Sequence, residues 1–202
     1  MYTLEQTVDL LNKMFDYTIP DYDAIWEFVE KHNFNFQSGE TRFCLYDPKW
    51  DFVIKLARFD NVEDDYNAIE LANYEEAKRR NIHRILLPIQ KVATLKSGIG
   101  VYVQKRYTTS HGCMDYKQSD KIAKKTATAH KSRICKDSKS KVYQGRRIAE
   151  LWYERAYQIY GKKFMREFEK FTQDLKVGDL HSENVGWLKN QPIILDFAGY
   201  HG

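Results

Sequence analysis

The chain has 202 residues, 43% hydrophobic and 14% aromatic, with a formal net charge of +4. That composition excludes a disordered chain and suits one domain with a sizeable core. No apolar run approaches the roughly eighteen residues of a membrane helix, and three cysteines without metal spacing (Cys44, Cys113, Cys135) exclude a disulfide scaffold.

Thr3-Leu4-Glu5-Gln6 reads as a capping box, a threonine answered three residues later by glutamine. Leu4, Val8, Leu11 and Phe15 continue one stripe, which predicts a helix over 3–15. Pro20 marks a break, and Asp23 to Lys31 predicts a second short helix with Trp26 and Val29 inward. Phe34 to Tyr46 predicts two strands joined at Ser38-Gly39-Glu40-Thr41, with a second turn at Asp47-Pro48-Lys49-Trp50. Phe52-Val53-Ile54-Lys55-Leu56-Ala57 then reads as a strand holding one lysine in an apolar run. Asp64 and Asp65 place negative charge where a helix N-terminus favours it. Tyr66, Ile69, Tyr74 and Ala77 lie near helical spacing, and Asn81 ends the run. Ile85 to Ile89 and Ile99 to Val103 predict strands around the Lys96-Ser97-Gly98 turn, followed by Gln104-Lys105-Arg106-Tyr107.

Residues 117–147 differ in character. Eleven Lys or Arg stand there against Asp120 and Asp137, a formal +9, so the rest of the chain totals −5. Charge segregated in this way predicts a patch for nucleic acid, a ribosome surface or an acidic protein, or else a solvated helix or loop. Aromatics are nearly absent from it, so binding there would go by charge rather than base stacking. From Arg147 to Phe171 helical spacing resumes through Ile148, Leu151, Trp152, Ala156 and Ile159, pauses at Gly161, and continues through Phe164, Phe168 and Phe171. Trp187-Leu188 and Ile193-Ile194-Leu195 predict a small hairpin around Lys189-Asn190-Gln191-Pro192.

The chemistry-bearing set brackets that hairpin. Asp179 is followed five positions on by Asn184 and twelve further by Asp196. The first carboxylate can accept a hydroxyl proton. The amide and second carboxylate can hold magnesium, a hard cation that takes few protein ligands, against phosphate oxygens. Gly178-Asp179-Leu180-His181-x-x-Asn184, with Leu195-Asp196-Phe197-Ala198-Gly199, resembles the catalytic loop and metal-binding segment of the protein-kinase-like superfamily. The form is closest to its aminoglycoside phosphotransferase and choline kinase branch. Upstream, Phe52–Ala57 is similar to the family's lysine strand, and the Ser38–Thr41 turn stands where the family has its glycine-rich loop.

The resemblance implies an α+β, bilobal fold. Residues 1–33 would be a helical extension and 34–107 a small antiparallel-sheet lobe. Residues 108–202 would be a truncated, mainly helical lobe with catalytic and metal loops over 177–199. It implies ATP and Mg2+ as cofactors, Asp179 as the base, Lys55 on the donor's inner phosphates, and Asn184 and Asp196 on the metal. Glu70 would hold Lys55, with Glu75 in reserve. Gly39 and Thr41 would approach the phosphates, and Gln104 and Arg106 the adenine through their backbone. The chain departs from the pattern in its single-glycine turn, in Val177 two before Asp179, in Gly178 in place of an arginine, and in ending soon after Gly199. Small kinase-like proteins of phages and bacterial effectors share that outline, which implies cytoplasmic action, in a host cell if so delivered. The N-terminus lacks a secretory pattern, in keeping with this. Missing acceptor-pocket helices favour a protein substrate or host-protein target, while His181 points to the small-molecule branch. The rival expectations are a pseudokinase acting as a binding module, and a nucleic-acid or ribosome binder through 117–147. No membrane partner is expected.

Overall fold

The computed structural model describes residues 2–16, 18–59, 64–106, 150–177, 180, 184–188 and 191–199. The protein is α+β, with a small antiparallel sheet, a two-stranded hairpin and several helices. Its contacts divide it into two units, residues 1–72 with 88–106, and residues 73–87 with 107–202. Among the described residues no helix is long and apolar enough to cross a membrane.

In the first unit, α1 (Leu4–Met14) starts at Thr3, whose hydroxyl accepts from Gln6 N while the Gln6 side chain accepts from Thr3 N, the predicted capping box. α2 (Tyr22–His32) is capped by Asp21 and leaves through Asn33 in the left-handed conformation. Five strands follow: β1 (Asn35–Ser38), β2 (Arg42–Tyr46), β3 (Phe52–Ala57), β4 (Ile89–Thr94) and β5 (Gly100–Lys105), ordered β1-β2-β3-β5-β4 and all antiparallel. Alternation gives this sheet two unlike faces. Phe43 and Leu45 of β2, Ile54 and Leu56 of β3 and Val101 of β5 form one core with Leu11, Phe15, Ile25, Phe28 and Val29 of the two helices. The inner faces of α1 and α2 are therefore part of this unit's core. The opposite face carries Arg42, Lys55, Tyr102 and Gln104, which meet α3 (Tyr66–Arg79).

Two predicted details are corrected. Trp26 points outward, 47% exposed, because Ile25, Phe28 and Val29 already fill the inner stripe of α2. Ile85 to Ile89 is not a strand. His83–Ile85 forms a 3-10 turn and β4 begins only at Ile89, since the Leu87 amide donates to Ile194 O (2.8 Å), within the second unit, and Pro88 has no amide to give.

In the second unit, α4 (Glu150–Tyr160) and α5 (Lys162–Asp174) meet at Gly161, whose φ of 82° makes the predicted interruption. α4 packs against α5 and against β7 of the hairpin of β6 (Val185–Leu188) and β7 (Gln191–Ile194). Trp152 donates to Gly186 O (3.0 Å) and Tyr160 to Pro192 O (2.7 Å). Met165, Phe168, Phe171 and Thr172 form the buried stripe of α5.

Candidate functional site

The polar face of the sheet converges on one carboxylate. Glu70, fully buried on α3, accepts from Lys55 Nζ at 2.7 Å and Arg42 at 2.5 Å through Oε2, and from Gln104 Nε2 at 3.2 Å through Oε1. Lys55 is only 5% exposed, unusual for a residue that ordinarily snorkels to water. Register explains the meeting: Lys55 lies opposite Cys44 and Tyr102, so Arg42 and Gln104, each two residues along from those partners, share its face. Immediately before α3, Asp65 accepts from the Asn67 and Ala68 backbone amides and from Tyr102 Oη (3.1 Å). Burial, and then the Asp65 carboxylate, push the Tyr102 phenol well above its ordinary value.

The choice between Glu70 and Glu75 is resolved by position. Glu75 faces outward and pairs with Lys78 at 2.7 Å. Gly39 makes a plain hairpin turn, its amide donating to Arg42 O (2.8 Å), and a Cβ there would meet only that carbonyl at 3.7 Å. Thr41 accepts from the Arg58 amide. Gln104 lies in the sheet interior between Val53 and Ile89, and the Arg106 amide donates to Asp51 O (2.7 Å).

In the second unit the β6–β7 hairpin sets the spacing of the candidate metal ligands. Val185 lies opposite Ile194, and the Leu195 amide donates to Asn184 O at 2.8 Å. Asn184 and Asp196 therefore leave the same end of the hairpin, both half-buried. Asp196 Oδ1 accepts from the Ala198 amide at 3.4 Å. Asn73 of α3 donates to Phe197 O (2.9 Å) and Ala198 O (3.3 Å), and Tyr74 packs its ring against Phe197. Gly199, at φ 86°, lies so close to the chain that a Cβ would sit 2.7 Å from Lys176 O and 3.2 Å from Val177 Cα. The segment after Asp196 is thus pressed onto the strand of chain leading to Asp179. Asp179 itself, with Gly178, His181 and the basic residues 117–147, lies outside the described residues.

No protein-family model, curated protein or solved structure matches this chain. Asn184 and Asp196 offer an amide and a carboxylate oxygen from one end of a hairpin, a donor set that fits magnesium, which keeps most of its shell as water and phosphate oxygen. Among the described residues no cluster of three or more His, Cys, Asp or Glu could hold a metal by itself. A shallow concavity of about 560 Å³ on α5, lined by Lys162, Lys163, Arg166, Glu167 and Lys170, includes none of these residues and is a solvated basic helix face.

Sequence reasoning missed Arg42, the Gln104 side chain, Asn67 and Asn73. Arg42 had a signal: it is the one charge in an otherwise apolar strand, two residues from the position facing Lys55. Asn73 had a weaker one, lying three residues after Glu70 and so on the same side of the helix. Among the described residues the Asn67 side-chain amide is buried without a hydrogen-bond partner, and nothing in the sequence sets it apart from a solvated helix residue.

Proposed function

We propose that the chain is an ATP- and magnesium-dependent phosphotransferase of kinase-like bilobal organisation, with a protein hydroxyl as acceptor. One observation carries the reading, the buried Lys55–Glu70 pair. A strand lysine clamped by a helix carboxylate is how kinase-type folds hold the donor's inner phosphates. An isolated strand lysine has no reason to be buried and paired in this way.

In this reading Lys55 binds those phosphates as a point charge and Glu70 fixes its direction. Asp179 accepts the acceptor's hydroxyl proton as the new oxygen–phosphorus bond forms and the bond to ADP breaks. Asn184 and Asp196 would hold magnesium, which when bound supplies charge neutralisation at the phosphate oxygens. Asn73 positions Asp196 by holding the two carbonyls that follow it. Catalysis then rests on positioning and charge rather than covalent chemistry.

Incubation with labelled ATP and magnesium, alone and with protein acceptors, tests this. Label transfer by the native chain that Asp179→Asn lowers at least about a hundredfold supports it. Background label in both proteins, with Mg-ATP still bound, would replace the enzyme with a nucleotide-binding module.

A further inference from the structure

The exposed large hydrophobics among the described residues are Ile19, Tyr22 and Trp26, and all belong to one short stretch of the first unit. Tyr22 and Trp26, one turn apart on α2, stack at 6.5 Å between ring centres and 15° between planes. Both meet Phe36 of β1 edge-on, at 5.7 and 5.6 Å. β1 is an edge strand, pairing with β2 alone, and Asn35, Gln37 and Ser38 on it are exposed. Aromatic surface left to solvent beside an edge strand is costly unless something covers it.

The charge around it identifies the cover. Asp21, Asp23, Glu27 and Glu30 are all exposed on α2 or its cap, against Lys31 as the one exposed cation of that helix. Asp23, Glu27 and Glu30 form no ion pair among the described residues. The patch also already accepts a guanidinium. Arg58 lies 5.7 Å from the Tyr22 ring centre while donating to Ser38 Oγ (3.0 Å) and Gly39 O (3.2 Å). Aromatic rings flanked by carboxylates attract cations by the ring quadrupole and by charge.

We infer that the Tyr22–Trp26–Phe36 surface, with its rim of acids on α2, is a docking face for an arginine-bearing segment of a partner protein. An extended segment would lie along β1 and set its guanidinium groups on the rings. The inference stands apart from the phosphotransfer reading and holds whether or not the chain turns over ATP.

The test uses the full chain and a fluorescein-labelled peptide of alternating arginine and threonine, followed by anisotropy. Companion peptides carry citrulline or glutamate in place of arginine. The expected result is binding of the arginine peptide alone, weakened at least about fivefold by Trp26→Ala and weakened, with loss of salt dependence, in the Asp23→Asn/Glu27→Gln/Glu30→Gln variant. The second variant leaves the aromatic packing intact, so it decides the matter even if Trp26→Ala misfolds. No binding to the native chain, equal binding of the citrulline peptide, or native-like binding by the neutralised variant would overturn the inference. So would self-association abolished by Trp26→Ala, which would give the face to a second copy.

Discussion

Glu70 accepts from two cations through one oxygen while its other oxygen takes the Gln104 amide. Desolvating three charges is expensive, and the arrangement persists because each is hydrogen-bonded. Glu70→Ala leaves Arg42 and Lys55 buried without the carboxylate they share, and should cost about 3–5 kcal/mol in urea unfolding. Glu70→Gln keeps the shape and should cost less. A loss under about 1 kcal/mol for the alanine variant would mean that the cluster is wet and weak. His32 gives a pH-dependent counterpart. Burial, and then Lys31, lower its folded pKa below the ordinary 6.5. As pH falls, the unfolded chain therefore takes the proton first, so this contribution is full above about pH 6.5 and is lost as pH drops towards the folded value. The melting temperature should decline over that window, and His32→Gln should flatten the decline.

α3 is the element that ties the candidate residues to the sequence. Glu70 holds Lys55, and Asn73, three residues on, holds the Phe197 and Ala198 carbonyls. Asn73→Ala removes both bonds and should destabilise by about 1–3 kcal/mol. It should also reduce label transfer more than its effect on melting explains. Gly199→Ala meets two obstacles, a positive φ and a 2.7 Å approach to Lys176 O. About 2 kcal/mol or more of destabilisation is expected in thermal or urea unfolding. A neutral result would show that the close approach relaxes freely. These elements also show what could be read beforehand. The capping box, the lysine strand and the Gly161 break follow local rules of spacing and turn chemistry, and each is where the residues put it. Trp26 was misjudged because periodicity marks an apolar stripe but not whether other residues already fill it. Ile85 to Ile89 does not form the expected strand because the Leu87 amide pairs with Ile194 O, more than a hundred positions away, which no local pattern encodes. Arg42 and Asn73 carry only faint signals in the sequence, because their roles depend on strand register and on the Phe197 backbone.

At the scale of the whole chain, each unit by itself carries residues that the phosphotransferase proposal uses. The first supplies a clamped lysine, the second an amide and a carboxylate at one end of a hairpin. The central proposal is that the chain binds Mg-ATP, and a ligand that binds only the folded state must raise its melting temperature. The direct measurement is thermal unfolding of the native chain, Lys55→Met and Asp196→Ala, each with and without Mg-ATP. At about a hundredfold excess over its dissociation constant, Mg-ATP should raise the native melting point by about 5 °C or more. Asp196→Ala should abolish that rise and Lys55→Met diminish it. A native melting point unmoved by Mg-ATP, or an equal rise in all three proteins, would contradict the account.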